Sequence, residues 1–425
     1  MPTPPPPPSE DPPRHDAYAA FRYPAFRRYM IGSQLMTLGT SAQALAIGWE
    51  MYERTNDPLA LGLVGLVQAI PMLLLTLPAG YLADIFDRRK LMIVSMLGTS
   101  LTSLGLAASS YYGGSNVLMY GLLLLDSSFI RLGWPARAAL LPLLVPRSAF
   151  ENAVKWRSSL GQTSALVGPA IGGFVLAWSI PATYVMSALS TFAFMAMLMT
   201  IRISAQPTGS PAGMFEQIGE GLRFVWSQKL LLGATSLDLF GVLLGGAVYL
   251  LPIFARDILD TEAVGLSPEQ AMGWLRSAPV AGAMLMALWL AHRPPLRRAG
   301  RAMLWAFAGF GAATIGFGLS TSFFLSLAML FLTGVFDTFS VVVRQTLLQL
   351  VTPDHMRGRV SAVSAVFISS SNELGGFESG LVARLFGPVF SVVSGGVGTI
   401  VVVAVWSRLF PKLRDFGRLD EAKAD

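Results

Sequence analysis

The 425-residue chain is 53% hydrophobic and only 13% charged, with a mean hydropathy of +0.56, where a soluble domain carries about 25% charged residues. So little charge excludes a soluble fold of this size and makes lipid the solvent for most of the chain. Having 0 cysteines excludes disulfides, a thiol nucleophile and thiolate metal sites, and the 3 histidines (His15, His292 and His355) fall near predicted ends or loops, which argues against a buried His metal site.

In chain order, residues 1–17 form a proline-rich polar tail without an apolar core, which reads as a disordered cytoplasmic tail and not as a cleavable signal peptide. A spanning helix needs roughly 20 mainly apolar residues, and about twelve stretches qualify. They run near 29–51, 60–83, 91–110, 117–144, 152–178, 182–203, 230–252, 271–291, 302–319, 323–350, 360–384 and 389–409. The first six make an N-terminal bundle within 18–203 and the last six a C-terminal bundle within 230–410, with a short tail over 411–425. Between the bundles, 204–229 is a polar linker whose second part places Met214, Phe215, Ile218, Leu222, Val225 and Trp226 on one helical stripe. That stripe predicts an interfacial helix on the cytoplasmic face, the alternative being a structureless loop.

The formal charge of +6 raises the question of nucleic acid. The basic residues instead sit in short clusters between apolar runs. One set of loops holds Arg27, Arg28, Arg88, Arg89, Lys90, Arg147, Arg202, Arg297, Arg298, Arg357 and Arg359. The opposite set holds little beyond Arg54, Arg256, Arg276 and Arg384. This asymmetry predicts a multi-pass protein of the cell (inner) membrane with both termini cytoplasmic, and no nucleic-acid partner.

The halves echo each other. Arg137-Ala-Ala-Leu-Leu-Pro-Leu-Leu-Val-Pro146 matches Arg344-Gln-Thr-Leu-Leu-Gln-Leu-Val-Thr-Pro353, and in the same register Gly168 matches Gly375 and Gly173 matches Gly380. Such a repeat is expected of a secondary transporter built of two like bundles around a central site.

Charge inside a span is expensive, so it faces a cavity or a partner. The third, sixth, ninth and twelfth spans have none, which predicts that they face lipid. The fourth carries Asp126 and Arg131, the seventh Asp238, the tenth Asp337, and the eleventh Asn372, Glu373 and Glu378. By depth, Arg131, Asp238, Asp337 and Glu373 lie near mid-membrane; Asp126, Glu378 and Glu50 lie farther out, and Arg137 and Arg344 lie toward the cytoplasm. Asp337 and Arg344 are seven apart, two turns along one helical face. Asp126, Arg131, Asp238, Asp337, Asn372, Glu373 and Glu378 are candidates for a central cavity. Glu373 is the leading candidate to take and release a proton, with Asp238 and Asp337 as alternatives and Arg131 as the counter-charge. The competing reading is that they are interhelical pairs and no more.

The loop after the second span reads Gly80-Tyr-Leu-Ala-Asp84-Ile-Phe-Asp87-Arg88-Arg89-Lys90. It resembles the Gly-x-x-x-Asp-x-x-Gly-Arg-Arg loop of the major facilitator superfamily, departing at Asp87 where the general pattern has Gly. That variant resembles the branch of bacterial exporters similar to the enterobactin exporter, as do Trp134-Pro-Ala-Arg137, Leu-Val-Pro146-Arg147, Asn152-Ala-Val, Met356-Arg-Gly-Arg359-Val-Ser-Ala and Ser371-Asn-Glu373-Leu-Gly375-Gly-Phe-Glu378-Ser-Gly380. Gly168-Pro169-Ala-Ile-Gly172-Gly173 in the fifth span resembles the Gly-Pro-x-x-Gly-Gly element of the superfamily's proton-coupled exporters; close helix packing is the plainer explanation. The resemblance implies an all-α membrane fold of two pseudo-symmetric six-helix bundles that close alternately on either side of a central site. It also implies a cytoplasmic gate in which Asp84 meets the start of the eleventh span near Arg357–Val360, braced by Arg88, Arg89, Arg137, Arg344 and Arg359. The counterpart loop of the second half, His292-Arg-Pro-Pro-Leu-Arg-Arg298, lacks the acid.

These readings together predict a non-enzymatic, proton-coupled exporter of amphiphilic small molecules, a monomer among membrane lipids with no cofactor and no metal. A lipid or lysolipid flippase of the same fold is the alternative within transport, and a non-transporting membrane scaffold the alternative outside it. No His cluster, Ser-His pair or nucleotide loop supports an enzyme.

Overall fold

A computed structural model of the chain describes residues 16–201, 214–293, 298–353 and 356–417, with the side chains of residues 77, 84, 214–218, 221, 358 and 362 outside that description. The predicted disordered tail as far as residue 15, the first part of the linker to residue 213, and the end of the C-terminal tail lie outside it as well. The first half is built of α1 (Pro24–Thr55), α2 (Pro58–Ile85), α3 (Arg88–Tyr111), α4 (Asn116–Leu140), α5 (Arg147–Trp178) and α6 (Ile180–Met199). The amphipathic helix α7 (Met214–Ser227) follows. The second half is built of α8 (Lys229–Leu244), the single turn α9 (Leu251–Ile253), α10 (Pro268–Ala291), α11 (Ala299–Leu319), α12 (Phe323–Val351), α13 (Arg357–Phe386), α14 (Pro388–Leu409) and the short α15 (Pro411–Arg414).

Boundaries follow local chemistry. Pro begins α1, α2, α10 and α14, where a missing N–H costs nothing. Ser267 and Gln270 form a reciprocal capping box at the start of α10. Among the described residues, ten stretches are long and apolar enough to cross a membrane by length and composition. The two remaining long helices, α1 and α13, carry the polar residues Gln34, Gln43 and Glu50, and Asn372, Glu373 and Glu378. α1 packs on α5 and α6, and α13 on α2, α8 and α14, so neighbouring helices cover both.

The packing is two-fold. In the first half α1 packs on α5 and α6, α3 on α4 and α6, and α2 on α4; in the second, α8 packs on α13 and α14, α11 on α12 and α14, and α10 on α12. The halves meet where α2 crosses α13 and α5 crosses α10. Each of these contacts maps onto its counterpart by shifting six spans. The third-position helices α3, α6, α11 and α14 make none of the main contacts between halves, in keeping with their lack of charge. They are not the most exposed, however: half or more of α3 and α11 is buried, against about a fifth of α4 and α10.

The repeat glycines do equivalent work. Cβ atoms at Gly173 and Gly273 would lie 3.0 and 3.1 Å from each other's Cα, and one at Gly380 would lie 2.6 Å from the Cα of Gly62. Backbone meets backbone at both crossings, an approach open only to glycine. Their partners Gly168 and Gly375 let α5 and α13 approach α1 and α8, at Ser41 and Leu243.

Both crossings lie at the end of the bundle opposite the chain termini. Near the termini, Asn152 Nδ2 at the start of α5 donates to the carbonyl of Ala17 (2.8 Å), and Ala299 N at the start of α11 donates to that of Gly417 (3.0 Å). Toward this terminal end Gly80 and Gly161 face open space. Among the described residues, the halves are therefore joined at the far end and parted at the terminal end.

Of two local features, one follows the sequence expectation and one departs from it. The linker does contain a helix: α7 packs on α13 and α8, buries Val225 and leaves Trp226 62% exposed. The seventh span is not one helix. It breaks after Leu244 at Gly245-Gly246 and continues as a 3-10 turn over Ala247–Leu250, α9 and a π turn over Phe254–Ile258. A Cβ at Gly246 would lie 2.6 Å from the carbonyl oxygen of Gly375, so α13 presses directly on the break.

Candidate functional site

The break in the seventh span positions a side chain that matters. Tyr249 sits on the 3-10 turn, and its hydroxyl donates to Glu373 Oε2 at 2.6 Å. Arg131 Nη2 on α4 lies 3.8 Å from Glu373 Oε1 on α13, an ion pair that joins the two halves. Both partners are only partly exposed, 30% for the Arg131 side chain and 15% for that of Glu373. A cavity of about 250 Å³ adjoins them, lined from both halves by Leu45, Gln68, Tyr249, Pro252, Arg276 and Glu373 among others. Arg276 was expected in a far-side loop. It lies instead within α10, lines this cavity, and donates from Nη1 to the carbonyl of Val248 (3.3 Å). Neither Tyr249 nor Arg276 was singled out from the sequence; the Gly-Gly pair ahead of Tyr249 was the available signal.

The other intramembrane acids have partners of their own. Asp126 is 3% exposed inside the first half, where Gln43 Nε2 (3.0 Å) and Thr102 Oγ1 (2.7 Å) donate to it and Ser103 Oγ donates to Gln43 (2.7 Å). This closed network ties α1, α3 and α4 together away from the cavity. Asp238 Oδ2 lies 3.2 Å from Arg344 Nη1 inside the second half, both side chains almost wholly buried. Asp337 belongs to the same charge group, facing Asp238 and Arg344. Glu378 accepts from Ser379 Oγ at 3.4 Å, and Asn372 Nδ2 is spent on the carbonyl of Ile368 (2.9 Å). Of the residues predicted to share a central site, Glu373 and Arg131 meet between the halves, while Asp238 and Asp337 group with Arg344 inside the second half.

At the terminal end, the side chain of Asp84 lies outside the described residues, as does most of the counterpart loop 294–297. Asp87 caps α3, accepting from the backbone N–H groups of Arg89 (2.8 Å) and Lys90 (3.2 Å). A carboxylate is favoured at a helix start, which accounts for Asp where the superfamily pattern has Gly. Arg88 reaches the carbonyl of Ala83 (3.4 Å) and Arg89 that of Met199 (2.6 Å). Arg137 donates to Ser33 Oγ (2.6 Å) and lies over the Phe194 ring. Arg357 reaches the carbonyl of Gln349 (3.2 Å), and Arg359 pairs with Glu220 of α7. Arg344, expected here, is held by Asp238.

The far end carries a network that the sequence reading did not assemble. Tyr52 on α1 donates to Asp257 Oδ2 at 2.5 Å across the two halves, with the Arg256 guanidinium over the same ring. Arg384 Nε lies 3.5 Å from Asp57 Oδ2, also across the halves. Glu50 accepts from Tyr184 (2.8 Å) and pairs with Arg54.

Two helix crossings close one end of the bundle pair, and the Arg131–Glu373 pair joins the halves nearer the centre. The chain matches the family described as transmembrane secretion effectors over residues 15–424. It belongs to this family. Its fold is that of the major facilitator superfamily, and the protein is a transporter and not an enzyme. Among curated relatives it is 24% identical over 396 residues to the enterobactin exporter EntS of Escherichia coli (strain K12), covering 93% of this chain and 94% of the relative. The same protein of Shigella boydii serotype 18 matches equally. Among solved structures it is similar to the nucleoside transporter NupG (TM-score 0.73, 11% identity, 91% of this chain and 100% of that one). It is also similar to a bacterial homologue of the human lysosomal transporter Spinster in an inward-facing, unoccupied conformation (TM-score 0.72, 14% identity, 92% and 98%). The helix-5 element Gly168, Pro169, Gly172 and Gly173 serves packing in this structure, since Gly172 lies against Ala42 of α1 and Gly173 against α10.

Proposed function

We propose that the protein is a proton-coupled exporter of amphiphilic small molecules from the cytoplasm, working by alternating access as a monomer in the inner membrane. The observation that carries this reading is the Arg131–Glu373 pair between the halves, with Tyr249 on the second carboxylate oxygen. At 3.8 Å the gross attraction is about 4 kcal/mol at an effective dielectric of about 20, before desolvation is subtracted. Protonating Glu373 removes it. A net remainder of about 1.4 kcal/mol still changes a two-state equilibrium tenfold, so the proton has leverage over which end is closed. The rigid units of this motion are the bundles within 18–203 and 230–410, joined through the linker 204–229. With the basic loops at the terminal end taken as cytoplasmic, both termini lie in the cytoplasm and the structure corresponds to a cytoplasm-open state. Asp84, Arg88, Arg89, Arg357 and Arg359 would form the closing contact of the opposite state.

The relatives' activity, export of enterobactin, supports outward transport of a small molecule. The closed network around Asp126 and the buried Asp238–Arg344 pair favour Glu373 as the titrating group, with Asp337 beside that pair as the alternative. The test is proton flux in proteoliposomes loaded with an amphiphile panel. Glu373→Gln should give a folded protein that binds substrate but moves no protons with it. Wild-type coupling in that variant would overturn the assignment.

A further inference from the structure

The path between the halves is richer in cations than in acids. At the central cavity Arg131 and Arg276 face the single carboxylate of Glu373. Nearer the terminal end a second cavity of about 380 Å³ opens between α1, α4 and α5. Its wall carries Arg137 and Arg157 and no acid, with Gln34, Gln162, Tyr29 and Trp134 beside them. Arg157 is exposed and makes no ion pair or hydrogen bond among the described residues. Trp134 is 66% exposed although it sits at the rim of a concave wall. On an open surface a lone arginine is merely solvated. Here it stands in a cleft with apolar walls, where field lines are focused and an anion is concentrated. Guanidinium groups match carboxylate and sulfonate oxygens in pairs, and an indole face beside them supplies apolar contact area.

We infer that the transported molecule is an organic anion with an aromatic or other flat apolar body, and that Arg157, Arg137 and Trp134 form its entry subsite. Asp126 and Asp238 are buried and partnered inside the bundles, so neither offers a cation a counter-charge along this path. The anionic group meets Arg157 first, then Arg137, and reaches Arg131 and Arg276 at the centre. There it competes with Glu373 for the same guanidinium groups, so substrate and proton act on one pair. This inference rests on the proposed export function for its direction only; the binding preference stands on the cavity itself.

The test uses the purified full-length protein and three probes of one shape: dansylglycine (anion), its methyl ester (neutral) and dansylcadaverine (cation). Equilibrium binding is read from dansyl fluorescence polarisation. The anion should bind at least tenfold more tightly than the ester or the cation. Arg157→Gln should cut anion affinity about tenfold and leave ester affinity unchanged, while Arg157→Lys should restore part of the loss. Equal affinity for the three probes, binding of none, or an anion affinity indifferent to Arg157→Gln overturns the inference. The proton-flux result is independent: anion preference with uncoupled wild-type transport would overturn the proposed function alone, and coupled transport of the cation would overturn this inference alone.

Discussion

A single residue type, the buried acid, plays three parts in this protein. Asp126 is a hydrogen-bonded strut, Asp238 half of a buried ion pair, and Glu373 a carboxylate shared between two halves. Substitution separates these roles. Removing one partner of a wholly buried pair leaves an uncompensated charge, typically at a cost of about 3–5 kcal/mol. Arg344→Met should therefore lower the thermal unfolding temperature strongly, with partial recovery in Arg344→Met/Asp238→Asn. Glu373→Gln should leave unfolding near wild type while abolishing coupling, because its carboxylate is held by one hydroxyl and a pair at 3.8 Å. If Arg344→Met unfolds at the wild-type temperature, the buried pair contributes nothing to folding.

Helices carry the next level of organisation. Where α2 crosses α13, a Cβ at Gly62 would lie 3.0 Å from the Phe377 carbonyl oxygen and 3.2 Å from the Gly380 Cα. A branched side chain has nowhere to go unless the helices part. Gly62→Val should therefore hold the far end ajar. In this cysteine-free background, spin labels at T55C and L385C should report a longer, broader distance distribution in Gly62→Val than in its parent. An unchanged distribution would mean that the crossing does not set the closure. The break at Gly245-Gly246 follows the same rule: a tight approach to α13 ends one helix and turns Tyr249 toward Glu373.

At the scale of the whole molecule, the closed far end and the parted terminal end define a direction. If the basic loops face the cytoplasm, Ser158→Cys, exposed on the wall of the terminal-end cavity, should react with a membrane-impermeant maleimide in inverted vesicles and stay unlabelled in right-side-out cells. Labelling from the outside would invert the topology and, with it, the direction of transport. Substrate that drives closure should protect the same thiol.

The sequence by itself determined the spans, the two-fold repeat and the loop asymmetry. Each is a local or periodic property: a bilayer demands about 20 apolar residues per crossing and penalises every stray charge. Repeat glycines were legible for the same reason, since Gly168, Gly173, Gly375 and Gly380 hold one register. The candidate site was legible only as a set of charged residues of unknown partnership. Asp337 and Arg344 could be related because they share a helix, whereas Arg131 and Glu373 belong to opposite halves and Tyr249 lies on a turn that the hydropathy of the seventh span concealed. Which charge meets which depends on how each helix is rotated about its axis and on where the halves touch. Those are set by packing between segments far apart in the chain, and only the tertiary structure decides them.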